Sequence, residues 1–214
     1  MPFLLAPLIS PRLLIMILIN DSVGGMKAQD STLGSPGMVR ELWLLKQEIS
    51  ELAPNSSTFL SENGFHLRSF ILGEDDGIWL SLNAQSFKDH PEQGSWSHQT
   101  FLEKINEGWF DPERFLLCFD DEGQLAGCVW NKEHPTEGRN RVGELFLLCV
   151  SPSHQGCGLG RSLAEKSLEM MITDEITTAM VYTDANNLRA IALYRSLGFQ
   201  LNSIQHLENK KVSF

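Results

Sequence analysis

The stretch that decides the fold is Glu144-Leu-Phe-Leu-Leu-Cys-Val-Ser-Pro-Ser-His-Gln-Gly-Cys-Gly-Leu-Gly-Arg161. Its first seven residues are mostly apolar and have the length that is typical of a buried strand. The next segment carries apolar side chains at helical spacing, namely Leu159, Leu163, Ala164, Leu168, Met171 and Ile172. The sequence therefore predicts a strand and a helix joined by a glycine-rich turn.

Glycines at such a turn indicate a site for a phosphate group. They let the backbone approach an anion, and the start of a helix supplies free N–H groups and the positive end of a dipole. A tight turn without a ligand has the same pattern and stays open as an alternative. A dinucleotide-binding loop fits less well, because the third glycine, Gly160, falls one residue early and no acidic residue follows at the usual distance.

Two motifs in this part of the chain resemble those of the GCN5-related N-acetyltransferase (GNAT) superfamily. Gln155-x-x-Gly158-x-Gly160 is similar to its acyl-CoA pyrophosphate loop. The stretch from Val181 through Asn187-x-x-Ala190 to Leu193-Tyr194-x-x-Leu-Gly-Phe199 is similar to its strand, Asn-x-x-Ala helix and terminal turn. The resemblance implies an α/β (α+β) fold with a central mixed, mostly antiparallel twisted sheet and helices on both faces.

A narrower resemblance is to the catalytic C-terminal domain of the mycothiol synthase family. It rests on Phe87-Lys-Asp-His-Pro-Glu-Gln-Gly-x-Trp96, Trp109-Phe-Asp-Pro112 and Gly127-Cys-Val-Trp-Asn-Lys-Glu-His-Pro135. It implies transfer of acetyl from acetyl-CoA to the cysteinyl amine of a cysteine–glucosamine–inositol pseudo-disaccharide. Residues 60–214 then form the acetyltransferase domain, and residues 1–59 are interpreted as a remnant of a first such domain plus a linker.

The resemblance assigns two catalytic residues. Glu144 is the candidate base for the amine proton, and Tyr194 is the candidate acid for the coenzyme thiolate. From the residues alone, an exposed strand-end glutamate and a core aromatic are the simpler interpretations of the two positions. No Ser/His/Asp or Cys/His arrangement is evident in the sequence, so we expect direct attack by the amine without an acyl-enzyme.

The same resemblance implies the binding residues. The cofactor acetyl-CoA is expected to contact Leu148, Cys149, Val150, Gln155, Gly156, Cys157, Gly158, Leu159, Gly160, Arg161, Asn187 and Ala190. The small-molecule amine substrate is expected to contact Lys132, Glu144, Tyr182, Asp184, His90 and Glu92. A solvated lysine is an equally simple interpretation of Lys132.

Composition limits the partners. The formal net charge of −10 argues against nucleic acid. The four cysteines lack metal spacing, so we expect no metal, and reduced thiols in a cytoplasmic protein. The apolar run Leu13–Ile19 is too short to span a bilayer, so no membrane role is expected. The chain is expected to be a monomer or a homodimer.

The rest of the chain alternates strands and helices. We predict strands at 66–72, 114–119, 124–130, 178–183 and from Phe199 onward, and helices after Ser97, from Leu159 and over 187–197. Residues 39–49 are ambiguous between a helix and a strand, and by position resemble the last strand of the first domain. Two other functions stay open: acetylation of another amine, such as a protein N-terminus, and a non-catalytic remnant.

Overall fold

A computed structural model describes residues 39–50, 56–88, 93–136 and 140–208. These residues form seven strands and five α-helices. The strands are β1 (Val39–Glu48), β2 (His66–Ser69), β3 (Phe115–Phe119), β4 (Leu125–His134), β5 (Val142–Val150), β6 (Thr178–Asp184) and β7 (Gln200–Glu208). The helices are α1 (Ser56–Glu62), α2 (Asp76–Ser86), α3 (His98–Ile105), α4 (Leu159–Thr173) and α5 (Leu188–Ser196).

All seven strands belong to one sheet, in the order β2-β3-β4-β5-β6-β1-β7. Only the β5–β6 pair is parallel within this sheet, and the other neighbours are antiparallel. One apolar cluster packs α1, α4 and α5 on one face, and a second, rich in aromatic rings, packs α2 and α3 on the other. The predicted mixed sheet with helices on both faces is confirmed.

The position of β1 is the main difference from the sequence expectation. The strand lies between β6 and β7, with Leu42 opposite Asp184 on one side and opposite Gln205 on the other. Its core, Leu42-Trp-Leu-Leu45, is a continuous apolar run because both faces of an inner strand are covered. One sheet therefore contains strands from both sides of residue 59, where the sequence places the boundary between the N-terminal segment and the acetyltransferase domain. That boundary stays a prediction.

Strand β2 is shorter than predicted because two aspartate side chains accept hydrogen bonds from the backbone that follows it. Asp75 accepts from the backbone N–H of Ile71 at 2.7 Å, and Asp76 accepts from that of Gly73 at 2.8 Å. These contacts form a turn where the pattern predicts strand. No helix in the described part of the chain is long and apolar enough to cross a membrane.

Candidate active site

The central strand β5 carries a bulge beside Glu144. On its β4 side the register moves from Trp130 opposite Leu147 to Asn131 opposite Leu145, so Phe146 is the extra residue. A bulge leaves one residue outside the ladder and bends the strand. Adjacent residues of a regular strand point to opposite faces of the sheet. Because of the bulge, Phe146 and Leu147 both belong to the aromatic cluster.

Strands β5 and β6 part just after Glu144. Their parallel pairing consists of three residue pairs and ends at Glu144 opposite Met180. Beyond Glu144, the described residues of β5 form no pairs with β6. We call this unpaired space the β5–β6 gap. The backbone N–H and C=O groups of this edge of β5 are obligatory hydrogen-bonding groups, so this gap is suited to a ligand with amides of its own. The gap contains the predicted cofactor contacts Leu148, Cys149 and Val150, which are buried.

The predicted pyrophosphate loop has the geometry of an anion site. Gly156 and Gly158 have φ angles of 80° and 95°, a region that side chains rarely adopt. Gly158 is the N-cap of α4 and offers no capping side chain. The N–H groups of Leu159 and Gly160 precede the first bonds of the helix, which Arg161 and Ser162 donate to the carbonyl oxygen of Gly158. These two N–H groups therefore remain for an anion.

Side chains of the loop make protein contacts. Gln155 donates from Nε2 to the carbonyl oxygen of Val150 at 3.2 Å. The exposed thiol of Cys157 donates to the backbone carbonyl oxygen of His154 at 3.0 Å. The guanidinium of Arg161 donates to Ser196 Oγ at 2.8 Å and pairs with Glu165 at 2.8 Å. An anion at this loop would therefore be held mainly by the backbone.

The loop is tied to the β3–β4 turn by a Ser–His–Asp contact that the sequence did not reveal. His154 lies with Nε2 3.0 Å from Asp120 Oδ2 and Nδ1 2.8 Å from Ser151 Oγ. Ser151 is buried, and its hydroxyl also lies 2.9 Å from Ser153 Oγ. No such arrangement was evident in the sequence, and the buried hydroxyl indicates a structural contact and not a nucleophile.

Helix α5 borders the gap from the other side. Asn187 is its N-cap, and Oδ1 accepts from the backbone N–H of the buried Ala190 at 3.1 Å. Tyr194 lies on the same helix, fully buried against Phe199 with ring centroids 5.6 Å apart. Burial raises the pKa of Tyr194 well above 10.0, so the phenol keeps its proton at neutral pH.

Four buried polar atoms of β6, α5 with its N-cap, and the glycine loop lack a hydrogen-bond partner among the described residues. They are Thr183 Oγ1, Gln155 Oε1, Asn187 Nδ2 and Tyr194 Oη. A buried polar group without a partner costs about 1–3 kcal/mol, so such atoms are expected where a ligand supplies the partner. Together with the unpaired edge of β5 and the glycine loop, they fit an elongated ligand with amides and phosphates.

Glu144 faces the aromatic cluster, on the side of the sheet opposite α5. It is buried, and its Oε2 lies 2.7 Å from Nε2 of His134. Lys132 lies directly opposite it on β4, with its ammonium 4.8 Å from the ring centroid of Trp109. The exposed-glutamate interpretation is therefore wrong, and Lys132 is held over an aromatic ring.

Helix α3 adds charged groups that sequence reasoning missed. Lys104 is almost fully buried, forms an ion pair with Glu107 and lies 5.9 Å from the ring centroid of Phe146. Burial lowers the pKa of Lys104, although the charge of Glu107 opposes this effect. Glu107 also accepts from Trp109 Nε1 at 2.9 Å. Helical spacing could have indicated Lys104, which follows Phe101 at the interval of the buried face.

Two predicted substrate residues on β6 share the face of Glu144, because alternate residues of a strand point to the same side. The pKa of Tyr182 is raised by burial and by the charge of Glu144. Asp184 is already engaged, since it accepts from Arg40 Nε at 2.6 Å and from the backbone N–H of Asn186 at 2.9 Å. The structure thus brings Lys132, Glu144 and Tyr182 to one face. His90 and Glu92 lie outside the described residues.

Comparison with known proteins shows similarity to acetyltransferases. The chain is 39% identical over 165 residues to a mycothiol acetyltransferase of Paenarthrobacter aurescens, across 76% of this chain and 50% of that protein. The chain thus spans about half the length of the curated relatives that it matches.

Solved structures show the same fold. A GCN5-related N-acetyltransferase from Sphaerobacter thermophilus aligns with a TM-score of 0.61 at 17% identity, over 81% of this chain and 53% of that one. The NatC complex bound to Gag peptide and CoA aligns with a TM-score of 0.55 at 21% identity, over 65% of this chain and 86% of that one. The model of the acetyltransferase (GNAT) family matches residues 79–199, from α2 to the turn before β7. Because this match covers more than half of the chain, the protein belongs to the acetyltransferase (GNAT) family.

Proposed function

We propose that this chain transfers an acetyl group from acetyl-CoA to the cysteinyl amine of cysteinyl-glucosaminyl-inositol. The observation that carries the proposal is the parting of β5 from β6 immediately after the buried Glu144. It leaves a backbone edge for the cofactor next to a carboxylate that can serve as base. The likeness to mycothiol acetyltransferases supports this choice of amine.

Acetyl-CoA would supply the acetyl group as a thioester. The N–H groups of Gln155 through Arg161 would hold its pyrophosphate, and the free edge at Leu148, Cys149 and Val150 would pair with the pantetheine arm. Asn187 and Ala190 would line the opposite side. The unpartnered Gln155 Oε1 and Asn187 Nδ2 support this placement.

Three groups would carry out the chemistry. Glu144 would take the proton of the amine as it attacks, and backbone N–H groups of β5 near the bulge would stabilise the carbonyl oxygen as it gains charge. Tyr194 would give its proton to the departing sulfur, which a phenol that stays protonated at neutral pH can do. The two side chains lie on opposite faces of the sheet, with the β5–β6 gap between them.

The polar groups around Glu144 would bind the amine substrate. Lys132 and Tyr182 lie on its face of the sheet, and hydroxyl groups of a sugar can accept from the lysine. Asp184 and the His90 to Glu92 segment complete the proposed contacts. We also propose residues 60–214 as the catalytic domain, acting in the cytoplasm as a monomer or a homodimer.

The experiment is a thiol-release assay with the purified chain and acetyl-CoA. Cysteinyl-glucosaminyl-inositol, its variant without the cysteinyl amine, and a set of peptide amines are compared at equal concentration. Turnover that needs the cysteinyl amine and exceeds that on peptides is expected. Preference for a peptide would move the function to another amine, and cofactor binding without any turnover would indicate a non-catalytic protein.

A further inference from the structure

His134 is the one side chain that hydrogen-bonds to Glu144 among the described residues. The imidazole stands at the last position of β4, opposite Val142 and two residues beyond Lys132, so it shares the face of Glu144. Its side chain is 28% exposed, whereas that of Glu144 is 7% exposed. The pair therefore links a buried carboxylate to a ring that reaches the surface.

The direction of this hydrogen bond follows from the chemistry of the two groups. An ionised carboxylate can only accept, so Nε2 of His134 carries the hydrogen and donates to Oε2. The distance of 2.7 Å is typical of a bond to a charged group. The second oxygen, Oε1, accepts from no described residue and remains for a substrate.

Two charged groups and a phenol face the carboxylate without bonding to it. Lys132 stands opposite on β4, Lys104 on α3 contributes charge, and Tyr182 approaches from β6. A hydrogen bond is directional, whereas an electrostatic attraction at longer range is not. The orientation of the carboxylate is therefore set by the imidazole.

We infer that His134 is a positioning residue for acetyl transfer: by donating from Nε2 to Oε2 it holds Glu144 so that Oε1 takes the proton of the amine. This inference rests on the proposed function, because it requires Glu144 to be the base. His134 lies within the motif Gly127–Pro135, but the sequence assigned it no role in the mechanism.

The first test compares two substitutions that differ in one property. His134→Leu removes the donor, whereas His134→Gln keeps an N–H donor near the same place. We expect His134→Leu to lower kcat about 10- to 100-fold, as is usual when a supporting hydrogen bond to a functional ligand is lost. His134→Gln should recover most of this loss, and neither variant should change KM for acetyl-CoA.

The chain offers a matched control. His66 forms a similar pair with Asp121, 2.9 Å apart, on the exposed surface. His66→Leu should leave kcat unchanged. Thermal unfolding of each variant checks that it is folded, and His134→Gln keeps the test decisive if His134→Leu does not fold. Unchanged turnover in both folded His134 variants would overturn the inference.

A double-mutant cycle tests whether His134 acts through Glu144. In a Glu144→Gln background, His134→Leu should cause little further loss, because the group that it positions is already gone. A second loss as large as in the wild type would mean that the imidazole contacts the substrate itself. That result would overturn the positioning role.

A measurement without substrate separates this inference from the proposed function. In the ¹⁵N-labelled protein, the Nε2–H signal of His134 should be visible in the wild type and shifted or lost in Glu144→Ala. An unchanged signal would overturn the contact whatever the activity. A wild-type chain that acetylates no amine would overturn the proposed function and, with it, the role of His134 in acetyl transfer. The Nε2–H signal would then still show whether His134 contacts Glu144.

Discussion

Replacement of Tyr194 by Phe should make the protein more stable and a poorer catalyst. The ring is fully buried, and Oη has no hydrogen-bond partner among the described residues. A buried hydroxyl without a partner costs about 1–3 kcal/mol, and Phe keeps the edge-on contact with Phe199. The free energy of unfolding should therefore rise by about 1–3 kcal/mol. For a chain of this size, the expected increase in Tm is roughly 2–12 °C.

The same substitution should change the dependence of stability on pH. Burial raises the pKa of Tyr194 well above 10.0, while the phenol of the unfolded chain ionises near 10. Above that pH the folded state binds more protons than the unfolded state, so wild-type stability falls as the pH rises. Tyr194→Phe removes this contribution. The advantage of the variant should thus grow above about pH 10.

Tyr194→Phe should lower catalytic activity although it raises stability. Loss of the proton donor for the leaving sulfur should lower kcat by about 10²-fold. The assays are denaturant unfolding at neutral pH and at about pH 10.5, together with thiol release from acetyl-CoA. A variant that is less stable than the wild type would show that Oη is bonded in the protein. A variant with wild-type turnover would show that Tyr194 is only a core aromatic.

Three further substitutions test other parts of the site and the fold. Glu144→Gln should lower kcat about 10²- to 10⁴-fold and leave the Kd of acetyl-CoA by calorimetry nearly unchanged; a wild-type rate would contradict its role as base. Gly158→Ala should lower the free energy of unfolding by about 1–2 kcal/mol, because a side chain at φ 95° has this cost and its Cβ would lie 3.2 Å from Phe59 Cζ; unchanged denaturant unfolding would contradict this. Asp75→Asn should lower the free energy of unfolding by about 1–3 kcal/mol at neutral pH, because its hydrogen bonds with Arg68 hold the pKa of this carboxyl below 3.8. The Asp75–Arg68 pairing stabilises the fold above the pKa of the unfolded chain and is lost as the pH falls through the folded pKa. The difference in unfolding free energy between wild type and variant should therefore shrink below about pH 3.8. A difference that stays constant across this range would contradict the linkage.

The sequence predicted those elements whose signals are local. The apolar run of β5, the glycines before α4 and the Asn187 cap of α5 each specify a structure within a few residues. The order of these elements then indicated the family. For the same reason, the loop residues and Asn187 could be assigned as cofactor contacts from their motifs, and these assignments remain predictions.

Features that depend on long-range pairing could not be predicted. The place of β1 between β6 and β7 requires contacts across more than a hundred residues, and its apolar core has no period that separates strand from helix. The bulge at Phe146 exists only relative to β4. His134 and His154 acquire their partners only when β4, β5 and the β3–β4 turn come together.

The most direct test of the central claim, that the gap between β5 and β6 holds acetyl-CoA, is hydrogen exchange of the backbone amides with and without acetyl-CoA. Protection should appear at Leu148 and Val150, whose N–H groups point away from β4, and over residues 155–160. These N–H groups would gain partners from the cofactor. The amides of β3, which already pair within the sheet, should exchange at the same rate in both states. Saturating acetyl-CoA that leaves exchange at Leu148 and Val150 unchanged would contradict the claim.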